Sequence, residues 1–401
     1  MNASTYIPFA RRMDGVPRSF IREILKVAIS PDIISFAGGL PNKDLFPLEE
    51  LHECADLLLS GSDRNILQYA NTEGYLPLRE QIAKRYARKG LVINPNNILI
   101  TNGSQQGLDL LGKVFINEGD AVLIEEPGYL GAIQAFSIFK PEFCTVPLSH
   151  DGIDTEKMQQ TVENTNPVLA YLIPNFQNPS GISYTEDTRR KVADICRGKS
   201  MFVVEDDPYG DIRFSGEAKH SLHHYLPEQT ILLGTFSKTV VPAFRMGWIV
   251  APDEVMERLV IAKQAADLHT DYFTQRLLHL YLTNYDIDKH ISSISKLYGE
   301  QAEAMIAAIE RYFPSEVQFT CPEGGMFLWL TLPEGQSSMR LFDQAIRENV
   351  AFVPGNPFYV GKTEVNTCRL NFSCSNVQDI EIGIRKLGKA IKLLQHQPVT
   401  V

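Results

Sequence analysis

Lys238, Arg245, Thr235 and Ser237 share one segment, GTFSKTVVPAFRMGW (234–248), and together they could anchor a carbonyl compound and hold an anion. A lysine just past an apolar run is partly desolvated, which favours its neutral amine over the ammonium. Such an amine can attack a carbonyl and form an imine. Arg245 offers phosphate a planar, always-charged fork, and the two hydroxyls are further donors. Taken alone, the segment is more simply a loop of exposed cations, since surface exposure is the norm for Lys and Arg.

EDDPYGD (205–211) adds an acid. An imine-forming lysine beside a phosphate-binding arginine suits pyridoxal phosphate (PLP), and PLP enzymes commonly set an acid against the pyridine nitrogen so that the protonated ring acts as an electron sink. Asp206 is the first candidate and Asp207 its competitor, because neighbouring strand residues point to opposite faces. Tyr209 could reach the ring hydroxyl. A solvated acidic turn is the plain alternative.

In TNGSQQGLDLL (101–111) a strand runs through a glycine turn into a helix, whose free N–H groups and positive dipole end make a phosphate seat. Ser104 and Gln105 would be the contacts, unless they are routine caps. Tyr129, in EEPGYLGAI (125–133), could stack on the cofactor or simply fill core. Asn178, in NFQNPSG (175–181), could hydrogen-bond the ring oxygen or mark an Asn-Pro turn. Arg369, in TCRLNFS (367–373), sits in an apolar strand and needs a partner. That partner is a substrate carboxylate in bidentate grip or a core acid.

Positioning these groups requires an α/β domain. Apolar runs at 97–101, 121–126, 168–174, 201–207, 230–236 and 246–252 read as strands separated by helical stretches, the pattern of a mainly parallel sheet flanked by helices. Five of them end in polar, turn-rich segments, and open α/β sheets bind ligands beyond their strands' carboxyl ends. A long charged helical pattern begins near residue 290. Strands at 327–332, 351–355 and 367–373 follow it and suggest a smaller α+β domain. The expected division is an N-terminal segment (1–45) that joins the small domain and the substrate pocket, a large domain (46–295) and a small C-terminal domain (296–401).

Composition narrows the function classes. A net charge of −10 argues against binding nucleic acid through a basic surface. No apolar run approaches the ~20 residues of a membrane helix, and no charged-then-apolar leader is visible, so the chain is expected to be cytoplasmic. Cys54, Cys144, Cys196, Cys321, Cys368 and Cys374 show no CxxC spacing, and adjacent His223 and His224 lack metal-ligand spacing. Reduced thiols and no metal are expected.

Taken together, TFSKTVVPAFRMGW, EDDPYG, NFQNPSG, GSQQGLD and CRLNFS resemble the fold-type-I PLP aminotransferases of class I/II, in the same order and over essentially the whole chain. ISFAGGLPNKDLFP (34–47), LQYANTEGYLPLRE (67–80), GAIQAF (131–136), KQAADLHT (263–270), PEGGMFLWL (322–330) and NVAFVPGNPF (349–358) resemble the α-aminoadipate/kynurenine branch. The resemblance implies that Lys238 carries the cofactor as an imine and Asp206 pairs with the pyridinium. It puts Asn178 and Tyr209 on the ring oxygen, and Tyr129 stacked on the ring. Ser104, Gln105, Thr235, Ser237 and Arg245 would surround the phosphate, with Tyr69 approaching from the partner of a homodimer. Arg369 would hold the substrate α-carboxylate and Gly39 would line the pocket. Arg22 matches the N-terminal arginine that reaches a side-chain carboxylate in relatives specific for acidic substrates. Thr235 stands where the family often has serine, and VPAFR is bulkier than the usual segment.

The implied reaction is transamination from an L-α-amino acid (2-aminoadipate, glutamate, aromatic or branched-chain) to a 2-oxoacid such as 2-oxoglutarate, with Lys238 as general base at Cα. Two rival readings differ in class. A regulator's aminotransferase-like sensor would carry a DNA-binding domain, for which about 30 residues before FAGGL are too few. A β-lyase would use the same scaffold.

Overall fold

The computed structural model describes residues 9–13, 30 and 32–395. Its strands, in chain order, are β1 (Ile34–Ser35), β2 (Ile98–Asn102), β3 (Ala121–Glu126), β4 (Glu142–Ser149), β5 (Gly152–Ile153), β6 (Leu169–Leu172), β7 (Phe202–Asp206), β8 (Thr230–Thr235), β9 (Met246–Val250), β10 (Gln318–Phe319), β11 (Phe327–Thr331), β12 (Val350–Ala351), β13 (Val353–Pro354) and β14 (Thr367–Asn371). Eight of them form one sheet in the order β2-β9-β8-β7-β6-β3-β4-β5. The pairs from β8 through β7, β6 and β3 to β4 are parallel. Helices on both faces explain why β6 and β8 read as continuous apolar runs rather than alternating ones.

The antiparallel insertion of β9 matters for function. Because β9 runs against both β8 and β2, the carboxyl ends of β2, β3, β6, β7 and β8 all emerge on one side of the sheet. That is the edge where the polar segments of the sequence collect.

A second, antiparallel sheet, β10-β11-β14-β13, is joined by a parallel pair, β1 with β12. The 26-residue helix Ile287–Tyr312 links the two cores. Its first turns, with Ile287 and Ile291, pack among the side chains of the large sheet. From Ile294 through Tyr298, Met305 and Ile309 it packs with Phe327, Leu370 and Phe352. Ile34 and Phe36 join this second core.

Two sequence expectations change. EFCTVPLS (142–149) forms a strand that was not anticipated; Pro147 argues against a strand interior, but the segment lies one strand from the sheet edge, where the missing donor is tolerated. The run 351–355 is not one strand. Val350–Ala351 pairs with β1 and Val353–Pro354 with β14, so the chain crosses between sheets at buried Phe352. Among the described residues, no helix is long and apolar enough to cross a membrane.

Candidate active site

A cavity of about 260 Å³ opens at the strand ends and collects Gly39, Ser104, Gln105, Tyr129, Asn178, Asp206, Tyr209, Thr235, Ser237, Lys238, Arg245 and Arg369. Tyr69 is not among them: it is 81% exposed and rests edge-on against His269. Arg22 lies outside the described residues. A larger groove of about 850 Å³ runs between the two cores past Tyr184, Thr320 and Trp329, and none of the sequence candidates line it.

Lys238 follows β8, which is buried throughout. Its Nζ donates to the Gly39 carbonyl at 2.8 Å and opens on the cavity. Burial, with the charges of Arg369 and Arg245 adding and Cys374 opposing, lowers its pKa to about 8. The neutral amine needed for imine formation is therefore accessible at mild pH.

Asp206 ends β7, 2% exposed, and its face settles which acid enters the cavity. Oδ2 accepts from the Tyr171 hydroxyl at 2.6 Å, while Oδ1 is buried without a partner among the described residues. Such an orphan is costly, and the N–H of a protonated pyridine is the kind of donor that would satisfy it. Asp207, on the opposite side, accepts from Asn175 and from the Gly210 N–H.

Burial pushes the Asp206 carboxyl up to about 7, Tyr171 opposing and Asp207 adding. The native state thus binds this proton more readily than the unfolded chain. The stability this carries is complete below about pH 4 and lost as pH rises through about 7. The thermal midpoint of cofactor-free protein is expected to fall over that interval and to fall less in Asp206→Asn. Glu125 and Glu205, also pushed to about 7 by burial, act in the same direction, and His223, His279 and His290, lowered by burial, act against them, so the difference between the two proteins is what isolates Asp206. Calorimetry at about pH 5 and about pH 8 checks this, and identical slopes for the two proteins would contradict it.

One end of the cavity combines a helix start with side-chain donors. The helix Gly103–Phe115 begins beside β8, and Asn102 gives it no side-chain cap, leaving first-turn N–H groups free. Gly103 has φ +71°, and a Cβ there would lie 2.6 Å from Arg245 Nη2, so only glycine lets the guanidinium approach the helix end. Arg245 itself is held at φ +49°, a costly conformation for a non-glycine residue. The Thr235 hydroxyl lies 2.9 Å from both Ser237 Oγ and the Met246 carbonyl, and accepts from the Ser237 N–H. Ser104 Oγ is 3.4 Å from the Gly234 carbonyl, and Gln105 donates to that of Gly131. An anion reached by these donors matches the phosphate of PLP.

Arg369 stands on β14, 3% exposed. Nη1 donates to Asn178 Oδ1 and Nη2 to the Ala37 carbonyl, both at 2.9 Å, and Nε has no partner among the described residues. Its guanidinium lies over Phe327 and near Phe358. Desolvation lowers its pKa to about 10. The core acid weighed as its partner is absent among the described residues.

Several contributors went unrecognised in the sequence. Tyr171 orients Asp206; a tyrosine inside VLAYLIP was its signal, since a buried hydroxyl usually finds a partner. Lys263, fully buried, binds Asp267 and Gln106, and both Asp267 and Gln106 also hold Asn102 at the start of the helix Gly103–Phe115. No spacing rule signals that network.

This fold and cavity define a PLP-dependent transaminase: residues 32–387 match the family "Aminotransferase class I and II", and the chain belongs to it. It acts on an amino acid and a 2-oxoacid, with PLP as cofactor. The chain is 42% identical to the 2-aminoadipate transaminase of Thermus thermophilus over 96% of each. It is 40% identical to aromatic-amino-acid aminotransferase 1 of Thermococcus litoralis, over 96% of this chain and 94% of that one. The crystal structure of Pyrococcus horikoshii kynurenine aminotransferase, in complex with PMP, superposes with a TM-score of 0.93 at 38% identity, covering 97% of this chain and 98% of that one.

Proposed function

We propose that the chain moves the amino group of 2-aminoadipate, glutamate, an aromatic or a branched-chain amino acid to a 2-oxoacid such as 2-oxoglutarate, with Arg369 gripping the α-carboxylate. The observation that carries this reading is the setting of Arg369: buried, unpaired with any acid among the described residues, and facing the same cavity as Lys238. A carboxylate held by both guanidinium nitrogens offsets the cost of that buried charge. The named relatives act on aminoadipate, aromatic amino acids and kynurenine, which supports donors of this range.

PLP, when bound, supplies a cationic ring into which negative charge from Cα can spread. The chain's residues supply position and proton handling. Lys238 would anchor the cofactor through Nζ and, with that amine free, would move the proton at the substrate's Cα. Asp206 Oδ1 would accept from the ring nitrogen and keep it protonated. Asn178, whose Oδ1 is taken by Arg369, keeps its amide N–H groups for the ring oxygen, with Tyr209 beside it. Tyr129 stacks on the ring. Ser104, Gln105, Thr235, Ser237 and Arg245 hold the phosphate, and Gly39 lines the substrate side.

The active form in this reading is a homodimer, in which Tyr69 reaches the partner's phosphate. Tyr69, Leu67 and Leu268 are all more than half exposed, apolar surface that a second copy would cover. The division at residues 295/296 is supported by the two cores that the helix Ile287–Tyr312 bridges, and the joining of the N-terminal segment to the smaller unit by Ile34, Phe36 and Leu45, which pack in its core. Six unpaired thiols fit a cytoplasmic location.

A donor screen with 2-oxoglutarate, identifying the oxoacid formed, tests the function; no oxoacid from any of the donor classes would sink it. Arg22→Ala is expected to lower kcat/KM for aminoadipate and glutamate about tenfold or more, the scale of one lost charge partner, and to spare leucine and phenylalanine. Equal losses across donors would count against a selective role for Arg22.

A further inference from the structure

EEPGY and NFQNPSG contributed Tyr129 and Asn178 to the site, but each also carries a polar residue that the cavity does not use. Glu125, on β3, is 1% exposed, and Gln177 is fully buried. A carboxylate is an expensive group to place inside a sheet unless its oxygens are well satisfied. Here Oε1 accepts from the Tyr184 hydroxyl at 2.6 Å and the Ile173 N–H at 3.1 Å, and Oε2 accepts from Gln177 Nε2 at 3.0 Å.

Gln177 is saturated in turn. Its Nε2 also donates to the Pro127 carbonyl at 2.8 Å, and its Oε1 accepts from the Ser180 N–H at 2.8 Å and the Ser180 hydroxyl at 2.6 Å. Those contacts leave one orientation for the amide, nitrogen toward Glu125 and oxygen toward Ser180. The residues between Gln177 and Ser180 are Asn178 and Pro179, so the fixed amide closes the turn that presents Asn178. Asn178 Oδ1 in turn meets Arg369 Nη1 at 2.9 Å.

We infer that Glu125 is a positioning residue: through Gln177 it fixes the turn that aims Asn178 at the cofactor's ring oxygen and at Arg369. This rests on the reading of Asn178 and Arg369 given above. Glu125 touches neither substrate nor cofactor; it is the fixed point from which one loop reaches both. Ordinary packing would not call for a charge here, and an apolar side chain would leave the Ile173 and Gln177 donors unpaired.

Glu125→Gln keeps the shape and sets an amide nitrogen against a donor. In the holoenzyme its kcat/KM is expected to fall about 10- to 100-fold for every amino acid, the fold-change of one buried donor left unpaired. The pH midpoint of the bound cofactor's visible absorbance should also shift, which a loss of stability alone would not cause. The deciding measurement is a cycle with Asn178→Ala. If Glu125 acts through Asn178, Glu125→Gln costs less than about twofold further in the Asn178→Ala background, since coupled residues are non-additive. Additive losses, or a Glu125→Gln enzyme with wild-type kcat/KM and midpoint, would overturn the inference. An Asn178→Ala enzyme with wild-type activity would instead overturn the reading of Asn178. Should Glu125→Gln fail to fold, Gln177→Met cuts the same link while sparing the carboxylate, and the same cycle decides.

Discussion

Lys238→Ala is expected to leave a folded protein that shows no visible absorbance from lysine-bound cofactor and has lost at least about three orders of magnitude in transamination rate. Two functions disappear together. In the proposed reading the covalent anchor goes, because no other lysine among the described residues lines the cavity. The base beside Cα goes as well, and general acid–base catalysis alone contributes about 10²- to 10⁴-fold. The fold should tolerate the change, since among the described residues Nζ makes one protein hydrogen bond, to Gly39, and removing a partly desolvated amine relieves a burial cost. Absorbance scans of protein reconstituted with PLP, followed by single-turnover assays with an amino acid, check both parts. Turnover near the wild-type rate would remove Lys238 from the centre of the site.

Arg369→Ala should cost about 2–5 kcal/mol in kcat/KM, or roughly 30- to 5000-fold, and the loss should be similar for acidic, aromatic and branched-chain donors. The size follows from burial: the guanidinium is 3% exposed and stacked on Phe327, so a carboxylate that enters is desolvated and needs this partner. Uniformity follows from the chemistry, because every α-amino acid carries the same carboxylate. Arg369→Lys should rescue only in part, since an ammonium cannot reproduce the planar two-point grip or also reach Asn178 and the Ala37 carbonyl. Steady-state kinetics with three donor classes separate this from a specificity effect. A loss confined to one class would contradict an α-carboxylate role.

Much of this was legible before any coordinates. Strands β2, β3, β6, β7 and β8 announce themselves as apolar runs ending in polar turns, because a sheet covered on both faces has no polar side to show. The gathering of twelve predicted residues around one cavity follows from those ends emerging on one side. β4 was missed because Pro147 is a poor strand residue, and its place depends on pairing with β3, a long-range contact. Tyr69 and Arg22 mark another limit: one is exposed and does not line this chain's own cavity, and the other lies outside the described residues.

The sequence by itself determined which groups are present and roughly where they emerge, since residue type and strand period are local properties. It named Lys238 and put Asp206 ahead of Asp207, but residue type alone left Arg369 between a core acid and a ligand, and only the family resemblance favoured the ligand. Tertiary structure shows which acid faces the cavity and what surrounds Arg369. The pleat of β7 turns Asp206 Oδ1 into the cavity without a partner among the described residues and sends Asp207 to Asn175. The packing of β14 buries Arg369 away from any acid among the described residues. Glu125 shows why such decisions are invisible in one dimension. Its meaning lies in donors 48, 52 and 59 residues along the chain, and only folding brings them onto one carboxylate.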